Sequence, residues 1–192
     1  MLRIPFLLML AALAAPPSPE ARVTAARAQI GVTRRYDPTY TRLKYPGGDV
    51  PLERGVCTDV IIRAYRAQGF DLQRAVHEDM RRAWEAYPRA WGLPRPDANI
   101  DHRRVPNLAV FFTRRGHSLP ATRQPGDYQP GDVVTWRLAS GVPHIGLVSD
   151  RKSAAGTPLV IHNIGWGTQE EDRLFAYAIT GHYRFEPPQA AE

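Results

Sequence analysis

Gly55-Val56-Cys57-Thr58-Asp59-Val60-Ile61-Ile62-Arg63-Ala64-Tyr65 holds the only cysteine of the chain and reads as the opening of a helix. Val60, Ile61, Ala64 and Tyr65 fall on one face at helical spacing. Gly55 and Thr58 are both acceptable N-cap residues, so the helix is expected to begin within a residue or two of Cys57. A thiol at that point meets unpaired backbone N–H groups and the positive end of the helix dipole. Both favour thiolate, the nucleophilic form. Read alone, the window also describes a small buried apolar residue, the common fate of a free cysteine. What decides between the two is whether the rest of the chain supplies a base.

The 192 residues, 43% hydrophobic and 23% charged, suit one soluble domain with a core of its own. The 18 prolines are interleaved with aromatic and apolar residues, which points to long ordered loops. The formal net charge is +6, but the arginines fall in scattered pairs (Arg34-Arg35, Arg81-Arg82, Arg103-Arg104, Arg114-Arg115) with no aromatic ladder between them. That pattern lacks the stripe a nucleic-acid binder shows, and for a basic protein that is exported an anionic envelope polymer is the better partner.

Met1-Leu2-Arg3 followed by the apolar run Ile4–Ala15 fits a secretory signal and is too short to span a bilayer as a helix. Ala12-Leu13-Ala14 and Ala26-Arg27-Ala28 are candidate cleavage sites. Residues 1–28 are therefore read as signal peptide and short linker, and 29–192 as a single domain. The protein is expected to be exported, monomeric and without stable membrane insertion after cleavage. In an exported protein a lone cysteine has no internal disulfide partner, so it is either inert or kept for chemistry.

Along the chain, Gln29–Arg54 carries Asp-Pro and Pro-Gly-Gly turn signals and reads as loop. The cysteine helix stops at Gly69; a second, capped by Asp71, runs towards Pro88; a third starts near Pro106 and stops at Gly116. The period then changes. Asp132–Leu138, Val142–Ser149, Pro158–Asn163 and Ala178–Phe185 read as strands. Helices followed by hairpin-linked strands imply an α+β fold with an antiparallel sheet of about four to six strands.

Two histidines lie on adjacent predicted strands. His144 precedes Ile145-Gly146-Leu147-Val148, and His162 follows Leu159-Val160-Ile161. A hairpin between them puts both near the same strand ends, where one imidazole orients the other. Cys57 would then be nucleophile, His144 base and His162 orienter, with Asn163 the alternate orienter. The backbone N–H of Cys57 would serve the oxyanion. His77 lacks the second histidine of a zinc-protease pattern. No phosphate loop, dinucleotide fingerprint or serine elbow occurs, and no cofactor or metal is implied.

The order Cys57, Gly131-Asp132-Val133-Val134, His144-Ile145-Gly146 and Val160-Ile161-His162 resembles the NlpC-type branch of papain-like cysteine peptidases and amidases. The resemblance implies a papain-like fold, with the nucleophile at a helix start packed on the sheet. Many members of that branch cut peptidoglycan stem peptides, which makes a cell-wall peptide the implied substrate and a bacterial periplasm or exterior the implied location. A longer likeness covers Tyr-Pro-Gly-Gly-Asp-Val-Pro at 45–51, Gly-Val-Cys-Thr-Asp-Val at 55–60, Val-His-Glu-Asp-Met at 76–80, Asn-Ile-Asp-His-Arg-Arg-Val-Pro-Asn-Leu at 99–108 and Ile-Thr-Gly-His-Tyr-Arg at 179–184. These motifs are similar to the bacterial YijF-like domains of unknown function.

Tyr45, Asp59, Arg103 and Arg104 are the candidate substrate contacts. Asp59 is the departure from the NlpC pattern, a carboxylate two residues beyond the thiol. The reading is an exported cysteine amidase or peptidase acting through an acyl-enzyme. The alternative is a catalytically silent envelope-binding domain on the same fold.

Overall fold

The computed structural model describes residues 17–188. Its helices are α1 (Pro19–Arg27), α2 (Cys57–Arg66), α3 (Leu72–Arg82) and α4 (Val105–Arg114). Its strands are β1 (Arg35–Tyr36), β2 (Arg54–Gly55), β3 (Ser118–Leu119), β4 (Val133–Arg137), β5 (Pro143–Lys152), β6 (Pro158–Asn163), β7 (Thr168–Glu171) and β8 (Ala178–Tyr183). The fold is α+β: an antiparallel six-stranded sheet in the order β3-β8-β4-β5-β6-β7, with β1 and β2 paired in parallel apart from it.

Strand alternation separates two cores. Ile145, Leu147 and Ile161 join Val60, Ile61, Leu108 and Phe111 in the layer between sheet and helices. Val148 and Val160 turn the other way and pack with Val134, Trp136, Tyr128 and Leu174. Helix α2 is buried from Cys57 through Tyr65. Its one long polar side chain in the middle, Arg63, is matched rather than stranded. Arg63 donates to both oxygens of Asp49 (2.9 and 3.1 Å), to Thr33 Oγ1 and to the Val50 carbonyl. This guanidinium gathers the 49–54 loop and so fixes the approach of the chain to Cys57.

The linker expectation fails over 19–27. Ser18 caps α1 by accepting from the Ala21 N–H, and Pro19 opens the helix, where a missing N–H costs nothing. Val23 and Ala26 are fully buried against α2, so the candidate cleavage motif Ala26-Arg27-Ala28 lies inside the packed domain. Arg22 is fully buried too: it donates to the Gly131 carbonyl, pairs with Glu186 and sits 4.6 Å above the Tyr65 ring. The Ile4–Ala15 run and the Ala12-Leu13-Ala14 motif lie outside the described residues.

Candidate active site

Helix α2 begins at Cys57, but the cap differs from the expectation. Val56 occupies the N-cap, and the Asp59 carboxylate reaches back to accept from the Val56 N–H at 2.7 Å. Asp59 also accepts from Arg103 Nε and Nη2, each at 3.0 Å. Its side chain is 4% exposed and that of Arg103 is 2% exposed. Asp59 is therefore a capping and ion-pairing residue rather than a substrate contact. It turns its charge to the backbone and to a guanidinium.

The β5–β6 ladder ends at Leu147↔Ile161. Beyond that pair the start of α2 takes over the sheet groups. The Asn163 side-chain amide donates to the Gly55 carbonyl at 3.1 Å, and the backbone N–H of Ile145 faces the Cys57 thiol. Asn163 thus holds the turn before the cysteine and is occupied with backbone, not with His144. The Thr58 N–H and the Tyr36 phenol also face the sulfur. Tyr36 is one of several tyrosines in the 29–54 loop that could pack or line a cleft, and nothing in its Arg-Tyr-Asp-Pro setting singles it out. It arrives through the Tyr36↔Gly55 pairing of β1 with β2.

His144 and His162 are brought together as expected, with His144 Nε2 2.8 Å from His162 Nδ1. A further residue completes the row: Glu171 Oε2 lies 3.0 Å from His162 Nε2. The carboxylate can only accept, so it fixes the Nε2–H tautomer of His162 and leaves Nδ1 as acceptor. His144 must then donate from Nε2, which leaves its Nδ1 unprotonated. Glu171 sits on β7, whose sequence Thr-Gln-Glu-Glu has no apolar alternation to announce a strand. Its only advance signal is position: two residues past Gln169, which pairs with His162, and so on the same face.

The two imidazoles need the glycine between the strands. A Cβ at Gly146 would lie 3.1 Å from His162 Cβ and 3.2 Å from Trp136 Cζ3. Gly146→Ala is expected to destabilise the fold by about 1–3 kcal/mol through overpacking. Urea unfolding checks this.

Among the described residues no hydrogen bond joins the thiol to His144, and both groups rest neutral. Burial pushes the Cys57 thiol up to about 11, helped by the nearby Asp59 charge and opposed by the Ile145 and Thr58 N–H groups and Tyr36. The helix terminus favours thiolate, as the sequence implies, but desolvation of a cysteine that is only 4% exposed outweighs it. Burial, and then the neighbouring His162, pull His144 down to about 3. Burial likewise lowers His162, with Glu171 opposing. Iodoacetamide labelling of native Cys57 is therefore expected to keep accelerating with pH up to about 11, where an ordinary thiol levels off near 9. Rates measured across that range, native against urea-unfolded, check it.

Above the sulfur lies a cleft of about 180 Å³ lined by Tyr36, Val56, Cys57, Trp91, Arg104 and Pro143, among others. Arg103 reaches its wall as well, with its donors already committed. Tyr45 does not line the cleft: its ring packs edge-on against His77 at 5.2 Å, beside α3. His182 lies apart from the histidine pair and bonds Asp132 at 2.7 Å.

Fold and site together define an α+β protein with a buried thiol at a helix start that lines a small cleft. A His–His–Glu row starts at the neighbouring β5 residue, with His144 on the Trp136 face of the sheet. The chain belongs to the family described as "Domain of unknown function (DUF1287)", which it matches over residues 23–185. It is 60% identical over 160 residues to the uncharacterized protein YijF of Escherichia coli (strain K12), covering 83% of this chain and 78% of that one. Two solved structures are similar at lower level: NlpC1 and NlpC2 from Trichomonas vaginalis, at 14% and 12% identity with TM-scores of 0.47 and 0.45. They match 86% and 91% of this chain, which spans only 43% and 49% of theirs.

Proposed function

We propose that the protein is an exported cysteine amidase or peptidase that cleaves an amide bond in a cell-wall peptide. The observation that carries this reading is a cysteine at the start of α2 that lines a cleft, with a His144–His162–Glu171 row that starts at the neighbouring β5 residue, on the Trp136 face of the sheet. A row that fixes the tautomer of the first histidine is what a neutral thiol needs, because its proton must leave as it attacks. Export rests on the apolar run Ile4–Ala15 behind a basic start.

The chemistry runs in two halves. Cys57 Sγ attacks the carbonyl carbon while its proton passes to His144 Nδ1. The negative charge moves to the carbonyl oxygen, towards the Cys57 backbone N–H, which as the first helical residue has no intrahelical acceptor. The carbon–nitrogen bond then breaks, and His144 returns the proton to the leaving amine. Water attacks the resulting thioester with His144 again taking a proton. The carboxylic acid product leaves and the thiol is restored.

Incubation with purified peptidoglycan and with soluble stem peptides tests the proposal, with new amino termini counted by mass spectrometry. New termini support hydrolysis. Tight binding of the same material with no bond cut overturns it in favour of a silent envelope-binding domain.

A further inference from the structure

The cleft wall carries two adjacent arginines in opposite states. Arg103 is fully committed. It donates twice to Asp59, and its remaining N–H groups reach the Thr39 and Asp37 carbonyls at 3.4 and 3.3 Å. Arg104 makes no side-chain hydrogen bond to any described residue. Its nearest carboxylate, Asp101, stands 3.6 Å away, too far for a hydrogen bond, and Asp101 Oδ1 has no hydrogen-bond partner. Arg104 is held by this long ion pair and by Trp91, with the guanidinium carbon 4.1 Å from the ring centroid. Trp91 is 40% exposed and the Arg104 side chain 16%, and both residues line the cleft. Of the two arginines on the cleft wall, Arg104 thus lies on an aromatic platform with no side-chain hydrogen bond spent on a described residue.

We infer that Arg104, laid against Trp91, reads a carboxylate on the substrate, so that the site takes acidic amides: peptides with a free carboxylate close to the bond that is cut. The inference rests on the cysteine-hydrolase reading and adds a substrate class to it. A guanidinium suits a carboxylate because two parallel N–H groups meet two oxygens. Arg104 has that edge free and Arg103 does not. Arg104 is a specificity residue that positions substrate and takes no part in the proton transfers.

The test uses two alkylating reagents of equal size and the same leaving group on the full chain: iodoacetate, which carries a carboxylate, and iodoacetamide, which is neutral. In each case a carbon–sulfur bond forms at Cys57, iodide leaves and the thiol proton goes to solvent. Burial and thiol acidity therefore cancel in the ratio of the two rates. The native ratio is expected to exceed that of the urea-unfolded chain by roughly fivefold, the effect of one unit charge a few Å away in a water-open cleft. Arg104→Gln is expected to bring the ratio down to the unfolded value, and Arg104→Lys to keep most of the enhancement. Arg151→Gln removes the same charge near the far end of β5 from Pro143 and is expected to leave the ratio alone. A native ratio equal to the unfolded one, or a ratio unmoved by Arg104→Gln, overturns the inference.

The two levels fail separately. Charge selectivity without any amide cleavage retains the carboxylate site and sinks the hydrolase. Cleavage by a protein whose KM is unchanged when the substrate carboxylate is amidated retains the hydrolase and sinks the carboxylate site.

Discussion

Replacing His144 by alanine is expected to lower kcat on a cleavable stem peptide by roughly 10²–10⁴-fold, the usual worth of a positioned base. KM should change little, because His144 is not among the residues that line the cleft. The reasoning is electrostatic. Cys57 rests protonated, with its thiol pushed up to about 11, so almost no thiolate exists at neutral pH before substrate arrives. The proton must leave during attack, and the His144 Nδ1 lone pair is the acceptor that the hydrogen-bonded row sets free. His162→Ala should cost nearly as much, since His144 then loses the partner that fixes its tautomer. Glu171→Gln should cost less, on the order of tenfold, because it acts through another residue. Steady-state kinetics on the three variants give the order. A merely structural role for the row would reduce the folded fraction and not the kcat of the folded protein.

The second large effect is on stability. Arg103→Ala is expected to destabilise the protein by about 3–5 kcal/mol, because it leaves the Asp59 carboxylate buried without its charge partner. That corresponds to a fall in Tm of roughly 10 °C for a domain of this size. In that variant Asp59 stays tied to the Val56 N–H, 2.7 Å away in the native protein, which holds its carboxylate in the buried site. The Asp59→Ala/Arg103→Ala double variant should be less damaged than the sum of the two single ones, since no unpaired charge remains. Thermal unfolding of the four proteins closes the cycle. Additive losses would mean that the pair is not coupled.

These two results separate what the chain displays in its sequence from what only the folded protein displays. The helix start at Cys57 was legible because an apolar stripe at helical spacing begins there. His144 and His162 were legible because each sits on a strand of period 2 and a short hairpin joins them. Such signals are local. Asp59 was opaque because its partner stands 44 residues away, on a 3-10 turn over Asp101–Arg103. Tyr36 and Glu171 were opaque for a related reason. Each reaches the site through strand pairing made by polar residues, with no hydrophobic period to reveal it. Helix α1 was hidden differently. Its opening proline and its arginines look like a linker until Arg22 finds the Gly131 carbonyl and the Tyr65 ring. The expected thiolate failed on magnitude, since the helix terminus acts within one turn whereas desolvation acts on the whole sulfur.

Cys57 Sγ is the attacking atom of the proposed mechanism. Its most direct test compares wild-type and Cys57→Ala proteins on the same stem peptide, with acid-quenched samples read by intact mass. The wild type is expected to cleave the amide and to carry an acyl adduct on the peptide that contains Cys57, and Cys57→Ala to show neither while retaining its unfolding transition. Undiminished cleavage by a folded Cys57→Ala protein would contradict the mechanism.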